Sequence, residues 1–192
     1  MYFFLLMKKR KVFFGVSVPP KVARRIAGHM EAWSDWPLRP VRERNLHVAA
    51  LFIGFRTDDD IAELVAGAQE ACQMVEPFDI LLDQTVFAPE EAKHAQSMIW
   101  FAGGASKEFL TLRNALEASI GTLTTEKKQF RPHVTLARIR RTKWDELPEK
   151  PTLTPLRSVS FPVSSFTLFE STFQKGVGLV YEVIEEFPLG KE

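Results

Sequence analysis

The sequence predicts an α+β fold of two similar lobes that face each other across a groove. Three observations carry that expectation. Segments with the alternating apolar rhythm of strands and segments with helical apolar spacing succeed one another along the chain. The order strand, helix, strand occurs over residues 11–55 and again over 96–139, each time with a histidine in its last strand. Further strand candidates close the chain at 158–163, 166–170 and 179–187. With 192 residues, 45% hydrophobic and 26% charged, residues 1–192 suit one two-lobed domain with a packed core.

The elements follow in order. Tyr2 to Met7 is apolar, and Lys8, Lys9, Arg10 and Lys11 come after it. A secretory signal carries its charge ahead of its apolar region, and so short a segment cannot cross a bilayer. Residues 1–6 therefore either extend the first strand or stand apart from the fold, disordered or ahead of a natural start at Met7. A cytoplasmic protein without a membrane partner is expected. The stretch KVFFGVSV, 11–18, reads as a strand that Pro19 and Pro20 end. Val22, Ile26, Met30 and Trp33 then lie on one helical face, and Pro37 and Pro40 mark a loop. Leu46 to Phe55 is the next strand. Thr57 to Asp60 supply a helix cap and negative charge for a helix start, and Ile61, Leu64, Val65, Ala68 and Cys72 supply its apolar face.

Pro77 breaks that helix. Phe78 to Asp83, Val86 to Ala88 and Gln96 to Ala102 read as strands. Ser106 caps a third helix carrying Phe109, Leu112, Leu116 and Ile120. A polar loop over 121–129 leads to the strand His133 to Ile139, and a proline-dotted linker over 148–155 leads to the closing strands.

A net charge of +1 excludes a protein that grips nucleic acid by its overall charge, so any polyanion site is local. The single cysteine, Cys72, excludes an internal disulfide and a cysteine-rich zinc cluster. It reads as a small core residue in a reducing compartment. No apolar stripe or repeat demands an oligomer or an obligate protein partner, and a monomer is expected.

The chemistry centres on two stretches, NLHVAALFIGF at 45–55 and RPHVTLARIR at 131–140. On a strand, residues i and i+2 share a face. His133 therefore shares a face with Thr135, and His47 with Ala49. One strand histidine is commonly a structural, hydrogen-bonded residue. Two in matching contexts, lining one groove, can divide general acid and general base work near neutral pH. That pairing suits attack on phosphorus with departure of an alkoxide, and a threonine hydroxyl nearby can donate to a phosphoryl oxygen. No cofactor is implied, and no metal: of the four histidines, His29 sits on the first helix and His94 in a polar turn, without ligand spacing to the others.

These residues carry a resemblance. His133-Val134-Thr135-Leu136, with Phe130 and Pro132 before it and Ala137 and Arg138 after it, resembles the second His-x-Ser/Thr-hydrophobic motif of the 2H phosphoesterase superfamily. Within it, the RNA 2′,3′-cyclic phosphodiesterases, also called 2′-5′ RNA ligases, are most similar. His47-Val48-Ala49-Ala50, between Asn45-Leu46 and Leu51-Phe52-Ile53-Gly54, resembles the first motif, with alanine where serine or threonine is usual. KVFFGVSVPP and FTLFES resemble the opening and closing strands, so the likeness spans nearly the whole chain.

The resemblance implies a bilobal fold of two pseudo-symmetric antiparallel-sheet lobes with flanking helices and a central groove. It also implies metal-independent hydrolysis of an RNA terminal 2′,3′-cyclic phosphate to a 2′-phosphate. By the same resemblance His47 is the general acid, His133 the general base, and Thr135 holds a non-bridging oxygen. Arg138 adds charge at the phosphate, and an arginine can make two parallel bonds to it. Strict alternation from His133, however, turns Arg138 to the opposite face. It serves only where the strand bends or ends, or where its side chain wraps round.

Ala49 cannot donate a hydrogen bond. A missing bond to a charged oxygen is worth roughly 1.5–3 kcal/mol, about tenfold to somewhat over a hundredfold in rate. Arg39, Arg42 or Arg44 on the preceding loop could reach in to compensate. Phe87, Trp100, Phe130 and Trp144 are candidates to stack on the terminal base. Phe130 is favoured for its place beside the second motif, whereas Trp100 lies in an apolar run and reads as core. Arg138, Arg140, Arg141 and Lys143, with Lys127 and Lys128, either follow RNA phosphates or are solvated. The expected partners are RNA ends or small nucleotides bearing a cyclic phosphate. Two other functions remain open: a non-catalytic RNA or nucleotide-binding module, and a related enzyme acting on another cyclic or 2′-5′ phosphodiester. ATP-dependent ligation is not expected, since neither a nucleotidyl-transfer lysine motif nor a P-loop is present.

Overall fold

The structure is a computed structural model that describes residues 9–90, 95–104, 106–121 and 131–190. Residues 1–6, His94, Lys127, Lys128 and Phe130 lie outside the described residues.

The chain alternates strands and helices: β1 (Arg10–Ser17), α1 (Pro20–Met30), β2 (Leu38–Pro40), β3 (His47–Arg56), α2 (Asp58–Cys72), β4 (Phe78–Leu82), β5 (Gln84–Ala88), β6 (Met98–Ala102), α3 (Lys107–Ile120), β7 (His133–Ile139), α4 (Arg141–Asp145), β8 (Val159–Val163), β9 (Ser165–Gln174) and β10 (Gly178–Pro188). The two helices expected from their caps start where those caps stand. Thr57 accepts from the Asp60 backbone N–H while the Asp60 carboxylate accepts from the Thr57 N–H, a reciprocal capping box. Ser106 accepts from the Phe109 N–H at the head of α3. Cys72, expected in the core, is half-buried at the end of α2.

The main sheet is antiparallel, with strand order β10-β9-β1-β3-β7-β6-β5, and β2 added on β7. β4 and β8 form a separate two-stranded sheet. The strands of the repeat are neighbours in this order. The strand pairs β1–β3 and β6–β7 lie on either side of the β3–β7 seam, where one pair, Val48 and Val134, joins the two halves.

One face of the sheet carries Val12, Phe14, Val48, Leu51, Val134 and Leu136 into a core shared with Ile26 of α1, Leu64 of α2 and Leu112 of α3. α2 and α3 pack on each other and against β3. Each fully buried side chain of this size contributes about 1.5–3 kcal/mol relative to exposure. The other face carries the histidines.

Gly103 follows β6 where the chain passes β4, and a Cβ there would stand 2.0 Å from the Leu81 carbonyl oxygen. Gly103→Ala is expected to destabilise the fold by about 1–3 kcal/mol, the range for overpacking. A thermal melt checks this, and an unchanged midpoint would contradict it.

Candidate active site

His47 opens β3 and His133 opens β7. Around the Val48–Val134 pair, the antiparallel seam sets His47 across from Thr135 and Ala49 across from His133. The imidazoles are thus diagonal neighbours on one face, a relation that spans about 7–8 Å between backbones.

Both rings are held the same way. The Nδ1–H of His47 donates to the Asn45 carbonyl (2.7 Å), and that of His133 to the Arg131 carbonyl (2.8 Å). A carbonyl only accepts, so Nδ1 carries the proton in each neutral ring and Nε2, on the far side of the ring, is the unprotonated nitrogen. The residues two before each histidine are themselves pinned. The Asn45 side-chain amide donates to the Leu179 carbonyl (2.8 Å). Arg131 donates to the Gly103 carbonyl (2.7 Å), Glu90 (2.5 Å) and Gln84 (2.5 Å).

Aromatic rings fix the imidazole planes. His47 lies 4.9 Å from Phe13 and meets Tyr181 edge-on at 4.9 Å. His133 is stacked on Trp100 at 3.8 Å. Trp100 therefore is not a core residue: it pairs with Thr135 in the β6–β7 ladder, on the groove face, and is half-buried there. Phe87 and Trp144, candidate stacking rings from the sequence, pack against each other at 5.5 Å instead and are absent from the groove lining.

Burial pushes His47 down to about 4, with further lowering from the nearby charges of His133 and Arg138; the hydrogen bond at Asn45 opposes them. His47 is therefore neutral at pH 7.

His47, Ala49, His133, Thr135 and Arg138 line one cavity of about 200 Å³. Arg138 arrives there through a β-bulge. Ile99 pairs with Ala137 but Trp100 pairs with Thr135, which leaves Leu136 as the extra residue on β7. Leu136 and Ala137 are both buried, the alternation is reset by one, and Arg138 returns to the face of His133 and Thr135. The Met98 sulfur, 3.7 Å from Nη1, lies beside its guanidinium.

Ala49 is 4% exposed against the groove floor, opposite Gly15 of β1. Of the arginines expected to compensate for it, Arg39, Arg42 and Arg44 line neighbouring cavities and not this one. The second cation in the groove is Lys11, with Ser171 and Tyr181 from the closing hairpin beside it. Lys11 comes from β1, which pairs with β3 beside the groove. His29, by contrast, is structural: its Nε2 is 3.0 Å from the Thr154 carbonyl.

The arrangement sets two imidazoles, the hydroxyl residues Thr135, Ser171 and Tyr181, and two cations around one space of about 200 Å³. The family model of the 2′-5′ RNA ligase superfamily matches residues 18–172, a span that contains both histidine strands. The chain belongs to the 2′-5′ RNA ligase superfamily. A superfamily relative, the RNA 2′,3′-cyclic phosphodiesterase of Thermus thermophilus, is 30% identical over 193 residues, which cover 95% of this chain and 91% of the relative. The Aquifex aeolicus protein of the same description is 30% identical over 155 residues, 78% of this chain and 81% of its own. Among solved structures, E. coli LigT with 3′-AMP superposes with a TM-score of 0.79 at 22% identity, over 96% of this chain and all of LigT. TT0787 of Thermus thermophilus superposes with a TM-score of 0.78 at 26% identity, over 95% of this chain and all of TT0787. The α+β 2H phosphoesterase fold expected from the sequence is thus the fold of this superfamily member.

Proposed function

We propose that this protein hydrolyses the terminal 2′,3′-cyclic phosphate of RNA to a 2′-phosphate, without metal, using His47 as general acid and His133 as general base. The observation that carries this is the placement of both histidines, each anchored through Nδ1, on one small cavity with Thr135 and Arg138. The phosphodiesterase relatives from Thermus and Aquifex support the same substrate class.

In the proposed step, water attacks phosphorus and gives one proton to Nε2 of His133. The phosphorus–O3′ bond breaks and Nε2 of His47 protonates the departing O3′. The products are a 2′-phosphomonoester and a free 3′-hydroxyl. Thr135 donates to a non-bridging oxygen, and Arg138 and Lys11 offset the charge that gathers there. His47 needs a proton for this role. The bound phosphodiester anion attracts a protonated His47 and offsets the charge of Arg138, so substrate itself raises the proton affinity of His47.

Incubation of a short RNA ending in a 2′,3′-cyclic phosphate, with EDTA, followed by ³¹P NMR, tests this. The expected product is the 2′-monophosphate alone. A 3′-phosphate would reverse the assignment of the leaving oxygen, and no product from a folded, RNA-binding protein would remove the activity. Ala49 favours one second reading, a module that holds a nucleotide end without turnover; binding without product would establish it. We place the working protein in the cytoplasm as a monomer of one bilobal domain. No helix among the described residues is long and apolar enough to cross a membrane.

A further inference from the structure

We propose that a second cavity beside the catalytic groove holds the penultimate nucleotide of an RNA 3′ end. Arg39, Arg42 and Arg140 bind its phosphodiester there, and Phe173 receives its base. The inference rests on the function proposed above and narrows the substrate to an oligonucleotide.

The cavity, about 480 Å³, is more than twice the volume of the groove at about 200 Å³. Arg138, Leu179 and Tyr181 line both, so the two spaces adjoin at the Arg138 guanidinium. One wall is cationic: Arg39, Arg42, Arg138 and Arg140. The sheet itself assembles most of it. β2 pairs with β7 so that Arg39 stands directly opposite Arg138, and Arg140 follows two residues on. Their neighbours Leu38 and Ile139 turn the other way, toward the core.

Like charges directly opposite on neighbouring strands oppose pairing. Among the described residues, none of these four arginines makes an ion pair with a carboxylate. A phosphodiester seated between them offsets that repulsion, and guanidinium forks match its oxygens. The same cavity has an apolar part. Phe173 is 76% exposed and Leu179, its partner across the β9–β10 ladder, is 40% exposed. An exposed ring in one cavity with a row of guanidiniums suits a nucleotide, with a base to stack and a phosphate to bind. The cavity on the other side of His47, about 590 Å³, carries Glu43 beside Arg42 and Arg44 and lacks the unbroken positive wall. A mononucleotide cyclic phosphate has its single charge in the groove and leaves the second cavity without a partner.

The test compares kcat/KM for adenosine 2′,3′-cyclic phosphate with that for the dinucleotide ApA ending in the same cyclic phosphate. Both are run on the native protein and on Arg39→Gln/Arg140→Gln and Phe173→Ala variants. The native protein is expected to favour the dinucleotide by about tenfold or more, the worth of one charge-assisted contact. Each variant is expected to shrink that preference, mainly through KM, and the arginine variant to flatten the salt dependence of dinucleotide binding. Equal kcat/KM for the two substrates, or a preference unchanged in both variants, would overturn the inference. Failure to hydrolyse either substrate would instead refute the proposed function. In that case the Kd values of ApA 3′-phosphate and 3′-AMP decide the subsite. Tighter binding of the dinucleotide, lost in the arginine variant, supports it; equal Kd values overturn it.

Discussion

His133→Ala and His47→Ala are each expected to lower kcat on an RNA 2′,3′-cyclic phosphate by about 10²–10⁴-fold, the usual contribution of a positioned acid or base. The two losses should not multiply. Once either proton transfer fails, the other imidazole has no concerted step to serve, so the double variant should resemble the worse single variant. Both side chains are half-buried, whereas Val48 and Val134 are fully buried. The variants should therefore stay folded, which circular dichroism and a thermal melt verify. Steady-state kinetics with EDTA provide the rates. A full rate in either variant would remove that histidine from the chemistry.

The second large effect concerns stability in acid. His47 has its pKa pushed down to about 4 in the folded protein, chiefly by burial. The unfolded chain carries an ordinary histidine near ~6.5. As pH falls the unfolded state takes this proton first, so protonation favours unfolding. The stability tied to neutral His47 is complete above about pH 6.5, declines as pH falls toward about 4, and changes little below that. The loss over the window is on the order of 3 kcal/mol. Urea unfolding at pH 7, 5.5 and 4 measures it, with His47→Phe as the reference. Asp60 is held below its usual carboxylate range by its hydrogen bonds at Thr57 and also contributes a pH dependence. That contribution is common to both proteins and cancels in their difference. Parallel pH dependences would mean that the fold does not keep His47 neutral.

Local chemistry made much of this molecule legible before its structure. Thr57 and Ser106 mark helix starts because a cap acts on backbone N–H groups within its own turn. His47 and His133 announce a shared face because alternation is intrinsic to a strand. What escaped the sequence depends on partners distant along the chain. Arg138 looks misdirected until β6 sets the bulge at Leu136 that turns it back. Trp100, inside MIWFA, looks like core until its pairing with Thr135 puts it against His133. β2 spans only Leu38–Pro40 between prolines and becomes a strand by pairing with β7, which is also what gathers Arg39 beside Arg138. Asn45 and Arg131 sit two residues before their histidines, a spacing visible in the sequence. Their hold on Leu179 and on Gly103, Glu90 and Gln84 is not.

A histidine-resolved NMR titration, with and without adenosine 2′-phosphate, is the most direct test that two imidazoles act on one phosphate. His47 should titrate near 4 in the free protein. With the nucleotide bound, its titration should move upward, and the ring signals of His47 and His133 should shift together, saturating at one ligand concentration. An ordinary free titration near ~6.5, with only one of the two rings responding to the nucleotide, would contradict a shared site.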